Sequence, residues 1–367
     1  MSQAAKIRTR YPFHRAALAP LMPGATPAVL KQACAEALEL GETAFCDFLH
    51  QQGLAPMWDE LLAQQGHGED PLSEEFKESL HQARLHATGL YLVQHHRLSE
   101  IRGILDDEGI AHVVYKGADT RERYFVEPAL RPATDIDLLV DDSNKVRAIQ
   151  ALQRAGFEFH ATEDNISHEA NLNRGKISID LHWDIMRPGR TRISIVGELL
   201  EGRRDCGSHW GMSDEANLFV MLVHPVFTKY STAPQAALVR MVDLINLLAR
   251  GGIDWDQLFA LLDKAGLRTA AWITLRWLRL LTGTPLADDA LGILQPGKLR
   301  RKYMEYWIDG NLATRWQAKP IYVQLGLTLP AHDRWRDAMH AVRQARKLRH
   351  SQHDDLQNLL ADIATQP

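Results

Sequence analysis

Arg131-Pro-Ala-Thr-Asp-Ile-Asp-Leu-Leu-Val140 is the most informative segment of the chain. Its aliphatic residues after Asp135 are typical of a buried β-strand. Side chains alternate across a strand, so Asp135 and Asp137 point to the same face. Two carboxylates at that spacing repel each other unless a cation lies between them. Because hard oxygen ligands of this kind suit Mg²⁺, the segment predicts a strand from Asp135 to Val140 that carries part of a metal site.

A third carboxylate lies in Lys176-Ile-Ser-Ile-Asp-Leu-His-Trp183, where apolar and polar residues alternate. The alternation predicts a strand whose polar face carries Asp180 and His182. If this strand lies beside the first one, Asp180 joins Asp135 and Asp137 in a cluster that can hold one or two metal ions for in-line phosphoryl transfer. We therefore predict that these three aspartates are the catalytic residues and bind the metal.

Three histidines are candidates for contact with an acceptor or for support of the metal ligands. They are His182 on the strand of the third acid, His168 on the strand before it, and His224 on a later helix. For each of them, the alternative is a hydrogen-bonded or packed side chain without a role in the reaction.

A nucleotide-binding turn is predicted upstream, where the β-branched run Ile110-Ala-His-Val-Val-Tyr115 ends at Lys116-Gly117. Glycine lets the backbone approach a phosphate closely, and Lys116 adds a positive charge. The helix that is expected to follow presents free backbone N–H groups to an anion. Lys116 and Gly117 are therefore predicted to bind the nucleotide.

Further cations extend the set of candidates for contact with the nucleotide phosphates. Arg131 lies four residues before the first acid and pairs either with phosphates or with Asp135. Lys229 either reaches the triphosphate or takes part in helix packing and ion pairs. Three arginines after the strand of the third acid are interpreted as a solvated loop, in preference to a phosphate or acceptor patch: Arg187, Arg190 and Arg192.

The spacing of apolar residues divides the chain into a mixed core and two helical regions. Helices are predicted between residues 25 and 108, and the longest of them begins at Ser73. Strands and helices alternate from residue 109 to 186, with a hairpin around Asn173-Arg174-Gly175. Helices return from Ser213. The predicted class is α+β, with a small mixed β-sheet core at 109–205 between helical regions at 1–108 and 206–367.

Composition excludes several classes of protein. The chain has 367 residues, 45% of them hydrophobic and 24% charged, which is ordinary for globular domains. A net charge of -4 is unlike that of a dedicated nucleic-acid coat protein. Its three cysteines are far apart, which argues against a disulfide framework and a structural zinc site. No signal peptide or membrane span is recognisable, so we expect a soluble, cytoplasmic protein.

Three segments together resemble the bacterial family of uncharacterised nucleotidyltransferases, within the superfamily that shares the DNA polymerase beta-like fold. They are KGADTRERYF at 116–125, RPATDIDLLV at 131–140 and SIDLHWDI at 178–185. Two later stretches, at 218–230 and 239–248, are similar to the helical part of that family. The resemblance implies transfer of a nucleoside monophosphate from a nucleoside triphosphate, with Mg²⁺ or Mn²⁺ and release of pyrophosphate. It leaves open whether the acceptor is a small molecule, a protein or RNA, and it leaves the oligomeric state open.

Two alternatives stay open beside this interpretation. Many members of the superfamily place serine directly after the turn glycine, whereas this chain has Ala118, so a catalytically degenerate nucleotide-binding protein is one alternative. The other is a toxin-like enzyme that nucleotidylates tRNA or a protein. Its support is the segment from Arg334 to His350, which carries six Lys or Arg residues.

Overall fold

The computed structural model describes residues 11–65, 71–163, 166–227, 237–316 and 318–365. Across these residues, helices surround one mixed sheet of seven strands. This arrangement confirms the predicted α+β class. In the same ranges, no helix is both long enough and apolar enough to cross a membrane.

The helices before the sheet begin at residues that suit a helix start. Three of them have proline in the first turn, where its missing N–H has no helical partner to lose. The longest begins after Ser73, as predicted, and the Ser73 hydroxyl accepts a hydrogen bond from Phe76 N over 3.2 Å. These helices are α1 (Pro12–Leu18), α2 (Pro27–Leu40), α3 (Glu42–Gln52), α4 (Ala55–Gln65) and α5 (Glu74–Asp107).

Five strands build the main part of the sheet. They are β1 (His112–Tyr115), β2 (Ile136–Val140), β3 (Glu158–His160), β4 (Glu169–Arg174) and β5 (Ile177–His182). In the order β3-β4-β5-β2-β1, β2 is parallel to β5 and the other neighbours are antiparallel. The two strands that carry the predicted acids are therefore neighbours, and Asp137 pairs directly with Asp180.

A short hairpin that the sequence did not predict extends the sheet beyond β1. Its strands are β6 (Arg204–Asp205) and β7 (Trp210–Gly211), and β7 runs parallel to β1 with Gly211 opposite Val114. Strands of two residues are too short to show alternation in a sequence. The hairpin crosses the predicted boundary between residues 205 and 206, and the division into three regions stays a prediction.

The remaining helices lie between the strands or follow them. The helix after Ser213 was predicted to run through His224, and it continues past Pro225 to Phe227. These helices are α6 (Gly117–Tyr124), α7 (Lys145–Arg154), α8 (Val196–Glu201), α9 (Asp214–Phe227), α10 (Ala237–Arg250), α11 (Trp255–Ala265), α12 (Arg268–Thr282), α13 (Asp288–Ile293), α14 (Lys298–Asp309), α15 (Leu312–Arg315), α16 (Pro320–Val323) and α17 (Trp335–Thr365).

Two hydrophobic clusters cover opposite faces of the sheet. On one face, Val114 packs in a cluster with residues of α5 and α7 and with Leu359 of α17. On the other face, Tyr115 and Leu139 belong to a cluster with residues of α1 to α4 and α9 to α12. Asp137 lies opposite Tyr115 in the register of β1 and β2, so it shares this second face. The predicted acids therefore face the larger set of helices.

Candidate active site

The predicted acids of β2 and β5 lie side by side. Asp137 and Asp180 are direct partners in the parallel register. Together with His182, they offer ligand atoms that all lie within 4.8 Å of one another. Asp135, one residue before β2, lines the same cleft. The structure thus brings the three predicted aspartates to one site.

The charge balance of these carboxylates favours a bound cation. Burial, followed by the charges of Asp135 and Asp137, raises the pKa of Asp180 to about 6. Burial also opposes ionisation of Asp137, but Lys116 and His182 outweigh it and hold the pKa of Asp137 well below its ordinary range. Neighbouring buried carboxylates that oppose each other's ionisation suit a bound cation, and their oxygen ligands fit Mg²⁺ or Mn²⁺.

His182 supports Asp137. Its Nε2 lies 2.9 Å from Asp137 Oδ1, and its side chain is only 3% exposed. The other ring nitrogen lies 3.2 Å from Glu169 Oε2, outside hydrogen-bond geometry. The Tyr115 ring packs edge-on against the imidazole, with 5.5 Å between the ring centres. These contacts fit the role of orienting a metal ligand.

Lys116 contacts the same carboxylate. Its Nζ lies 2.6 Å from Asp137 Oδ1 and 4.7 Å from the centre of the Tyr115 ring. The backbone of Lys116 has a φ of 55°, a conformation that favours glycine. Such a conformation costs on the order of 1–3 kcal/mol and persists where the surrounding structure fixes it. Lys116 is thus a counter-ion of a predicted metal ligand, as well as a candidate for phosphate contact.

Arg131 is fixed by a partner that the sequence did not identify. Its Nε and Nη2 donate to the Asp243 carboxylate over 3.1 and 2.7 Å, and its Nη1 donates to Pro132 O over 2.6 Å. Both side chains are buried. Arg131 thus pairs with Asp243, and the charge of Asp135 also acts on it. A Cβ on Gly117 would lie 2.5 Å from Arg131 Nη1, so the predicted turn glycine is needed for close approach of this guanidinium.

Apart from Tyr115, the residues described above line a cleft of about 760 Å³. Its walls come from the strand ends, from α9 and α10, and from His50 and Gln51 of α3. A cleft of this volume is within the usual range for small-molecule and cofactor sites.

The family described as uncharacterised nucleotidyltransferase matches residues 39–283, more than half of the chain. The chain belongs to this family. Neither a curated protein nor a solved structure matches the chain. The matched range includes every residue that lines the cleft, from His50 to Asp243. Of the helices before the sheet, α3, α4 and α5 of this nucleotidyltransferase-family protein lie within the matched range, whereas α1 and most of α2 precede it.

The cleft of this nucleotidyltransferase-family protein contains two of the three arginines that follow β5. Arg187 and Arg190 line it, whereas Arg192 pairs with Asp337. Arg190 donates to Phe227 O over 2.5 Å. Burial, and then the charge of Arg187, lower the pKa of Arg190 to about 10. The expectation of a solvated loop therefore fails for Arg190.

Arg240 on α10 is a cleft residue that the sequence analysis missed. Its Nη1 is buried and has no hydrogen-bond partner among the residues that the structure describes. Burial, and then the charge of Arg131, lower the pKa of Arg240. A buried guanidinium without full compensation suits an anionic ligand. The sequence could have identified Arg240 as a cleft candidate, because it lies three residues before Asp243 and therefore on the same face of the helix.

Two predicted histidines line the cleft as neutral groups. Burial, with smaller contributions from nearby cations, lowers the pKa of His168 to about 3 and that of His224 well below its ordinary value. Neutral imidazoles can exchange hydrogen bonds with a ligand but cannot neutralise phosphates. Lys229, predicted to contact the triphosphate, lies outside the described residues.

Glu169 is a second residue that the sequence analysis missed. It lies opposite His182 in the register of β4 and β5, and its Oε2 lies 3.5 Å from His168 Nε2. Alternation along β4 places Glu169 on the same face as Asn171, which donates to Asp180. That alternation could have identified Glu169 as a cleft residue.

Proposed function

We propose that this protein transfers a nucleoside monophosphate from a nucleoside triphosphate to an acceptor hydroxyl or phosphate and releases pyrophosphate. The observation that carries the proposal is the direct pairing of Asp137 with Asp180, in a cleft that also holds Asp135 and several cations. A site with acids for metal and guanidinium groups for phosphate suits a metal–triphosphate complex. Membership of the nucleotidyltransferase family supports the same chemistry.

In the proposed reaction, the acceptor oxygen forms a bond to the α-phosphorus. The bond between that phosphorus and the oxygen that bridges to the β-phosphate breaks, and the proton of an acceptor hydroxyl passes to solvent. No covalent intermediate with the protein is required. Mg²⁺ or Mn²⁺, held by Asp135, Asp137 and Asp180, would neutralise charge on the phosphates when bound.

The side chains of the cleft have separate tasks in this proposal. His182 fixes the orientation of Asp137 through the 2.9 Å contact of its Nε2. Lys116 compensates the charge of Asp137 through the 2.6 Å contact of its Nζ, and it lines the cleft in which the phosphates would bind. Arg240 and Arg187 bind the triphosphate or an anionic acceptor.

Label transfer tests this proposal. The purified protein is incubated with each labelled nucleoside triphosphate, Mg²⁺ or Mn²⁺ and a cell extract, and labelled products and pyrophosphate are followed. We expect Asp137→Asn and Asp180→Asn each to lower transfer at least about a hundredfold, because a metal ligand is lost. Asp142→Asn, which removes an exposed carboxylate that pairs with Lys145, is the matched control. Full transfer by Asp137→Asn would overturn the proposal, and nucleotide binding without pyrophosphate release would indicate a degenerate enzyme.

A macromolecular acceptor is a second candidate within the same chemistry. The basic segment near the C-terminus lies largely in α17, and several of its cations are exposed: Arg343, Arg346, Lys347 and Arg349. Such a surface suits an anionic acceptor such as tRNA. Growth arrest on expression, abolished by Asp137→Ala, would support a toxin-like activity. Label that enters only small molecules would exclude it.

A further inference from the structure

The hairpin between β6 and β7 places a thiol near an imidazole. Cys206-Gly207-Ser208-His209 forms its turn, and Cys206 N donates to His209 O over 3.0 Å. Gly207 has a φ of 79°, and its N–H donates to Asp205 Oδ1 over 2.8 Å. The spacing of two residues between Cys206 and His209 is typical of paired ligands in metal-binding turns.

A carboxylate from α6 completes this group. Asp119 Oδ1 lies 2.9 Å from His209 Nε2, and both side chains are buried. Ligand atoms of Asp119, Cys206 and His209 all lie within 4.8 Å of one another. Gly211 on β7 leaves room for them, because a Cβ there would lie 2.9 Å from Cys206 Sγ and would also collide with Asp119 Oδ1. The φ of Gly211 is not positive, so space is the reason for glycine at this position.

We propose that Asp119, Cys206 and His209 bind a thiophilic divalent cation such as Zn²⁺, at a site separate from the carboxylates of the cleft. Thiolate, imidazole and carboxylate are the ligand types that Zn²⁺ takes from proteins. The two negative charges of thiolate and carboxylate balance the charge of the ion. On binding, the Cys206 thiol loses its proton and His209 binds as the neutral imidazole and gives up the proton that it shares with Asp119, so the hydrogen bond between Asp119 and His209 is replaced by two bonds to the ion.

Solvent can supply the fourth ligand. Cys206 is half-buried and lines an open groove of about 620 Å³, together with Ser208 and Arg123. A tetrahedral ion needs one more donor beyond three protein ligands, and water serves when that position is open. The sparse cysteines predict that the chain has no structural zinc site, and this proposal departs from that expectation because the site needs only one thiolate.

The ion would connect three elements that meet behind the nucleotide turn. Asp119 is the third residue of α6, which begins directly after Lys116. Asn217 of α9 donates to Asp119 Oδ2 over 2.6 Å and also lines the cleft. A cation at Asp119 would therefore hold the β6–β7 hairpin against α6 and α9, and we expect it to stabilise the fold rather than to take part in transfer.

A competing explanation is a buried polar network without metal. Asp119 already accepts hydrogen bonds from Asn217, from Arg123 over 3.2 Å and from His209. That network explains the burial of the carboxylate, and it includes the Cys206 thiol, which donates to Arg204 O over 3.7 Å. The two explanations differ in whether sulfur binds a metal ion.

Cobalt titration of the full-length, metal-free protein separates them. We expect one equivalent of Co²⁺ to produce a sulfur-to-cobalt charge-transfer band in the wild type, and Zn²⁺ to abolish it by displacement. The band should be lost in Cys206→Ser and kept in Cys46→Ser, whose thiol contacts Ser79 Oγ. It should also be kept in Asp137→Asn, because the described residues that line the cleft include no cysteine thiol. Absence of the band in the wild type, or its persistence in Cys206→Ser, overturns the proposal.

Thermal unfolding gives a second readout that does not depend on activity. We expect Zn²⁺ to raise the Tm of the wild type and of Asp137→Asn, and to leave the Tm of Cys206→Ser unchanged, since binding to the native state alone stabilises it. An equal rise in Cys206→Ser would show that the ion binds elsewhere and would overturn the proposal.

Discussion

Lys116 Nζ lies 2.6 Å from Asp137 Oδ1, so one lysine connects the predicted nucleotide-binding turn with a predicted metal ligand. The contact lowers the pKa of Asp137 against the effect of burial. The same lysine has a φ of 55°, a backbone conformation that residues other than glycine adopt only at some cost in free energy. The backbone conformation of Lys116 costs stability, whereas its side chain lies where it can act on both a metal ion and a nucleotide.

Substitution of Lys116 should therefore change metal and nucleotide binding in opposite directions. In Lys116→Met, we expect Mn²⁺ to bind at least as tightly as in the wild type, because the competing ammonium is gone. Nucleotide affinity should fall about tenfold, equivalent to about 1.4 kcal/mol, because a charged contact to phosphate is lost. Calorimetric titration with Mn²⁺ and with a non-hydrolysable nucleotide measures both. Unchanged nucleotide affinity would show that Lys116 is a counter-ion only.

Local features of the fold could be predicted from the sequence because they depend on neighbours along the chain. Alternation identified β2 and β5, and it placed Asp135 with Asp137 and Asp180 with His182. The start of α5 at Ser73 followed from its capping residues. These signals need no knowledge of how the helices pack on the sheet.

Features that depend on distant contacts could not be predicted in this way. Arg131 and Asp243 are 112 positions apart and meet only when α10 packs over the turn. Arg240 resembles a surface residue of an amphipathic helix until that packing places it in the cleft. The two-residue strands of the β6–β7 hairpin exist because β1 offers them an edge, with Gly211 opposite Val114.

Removal of only one partner of the buried pair Arg131–Asp243 should strongly lower the free energy of unfolding. Arg131→Met leaves the Asp243 carboxylate buried without its partner, and we expect a loss of about 3–5 kcal/mol in the free energy of unfolding. The double variant Arg131→Met/Asp243→Leu should recover most of that loss. Urea unfolding measures these values.

The matched control for this pair is an exposed one. Arg154→Met removes an ion pair with Glu108 in which both side chains reach solvent, and it should cost less than about 1 kcal/mol. If Arg131→Met were as mild as Arg154→Met, the ion pair with Asp243 would not be a structural determinant of the cleft.

Acid should destabilise the protein through His14. Burial lowers the pKa of His14 from 6.5 to about 4, so the unfolded chain binds this proton at a higher pH than the folded chain. As the pH falls from about 6.5 to about 4, this residue lowers the free energy of unfolding by up to about 1.4 kcal/mol per pH unit. The stability of His14→Gln should fall less steeply across that window, whereas the exposed His160→Gln should follow the wild type. If the free energy of unfolding of His14→Gln fell with pH as steeply as that of the wild type, His14 would not be the cause of the acid destabilisation.

Substitution of Arg240 should affect the stability of the protein and its affinity for nucleotide differently. Its Nη1 is buried and has no hydrogen-bond partner within the described ranges, so the charge is poorly compensated in the free protein. Arg240→Met should therefore leave the free energy of unfolding unchanged or raise it by about 1 kcal/mol. Nucleotide affinity should fall at least about tenfold, because the guanidinium no longer meets the phosphates. Arg240→Lys keeps the charge without the planar fork and should give an intermediate affinity. A variant that is less stable but binds nucleotide normally would instead show that Arg240 serves the packing of α10, and the anion site would then have to rest on Lys116 and Arg187.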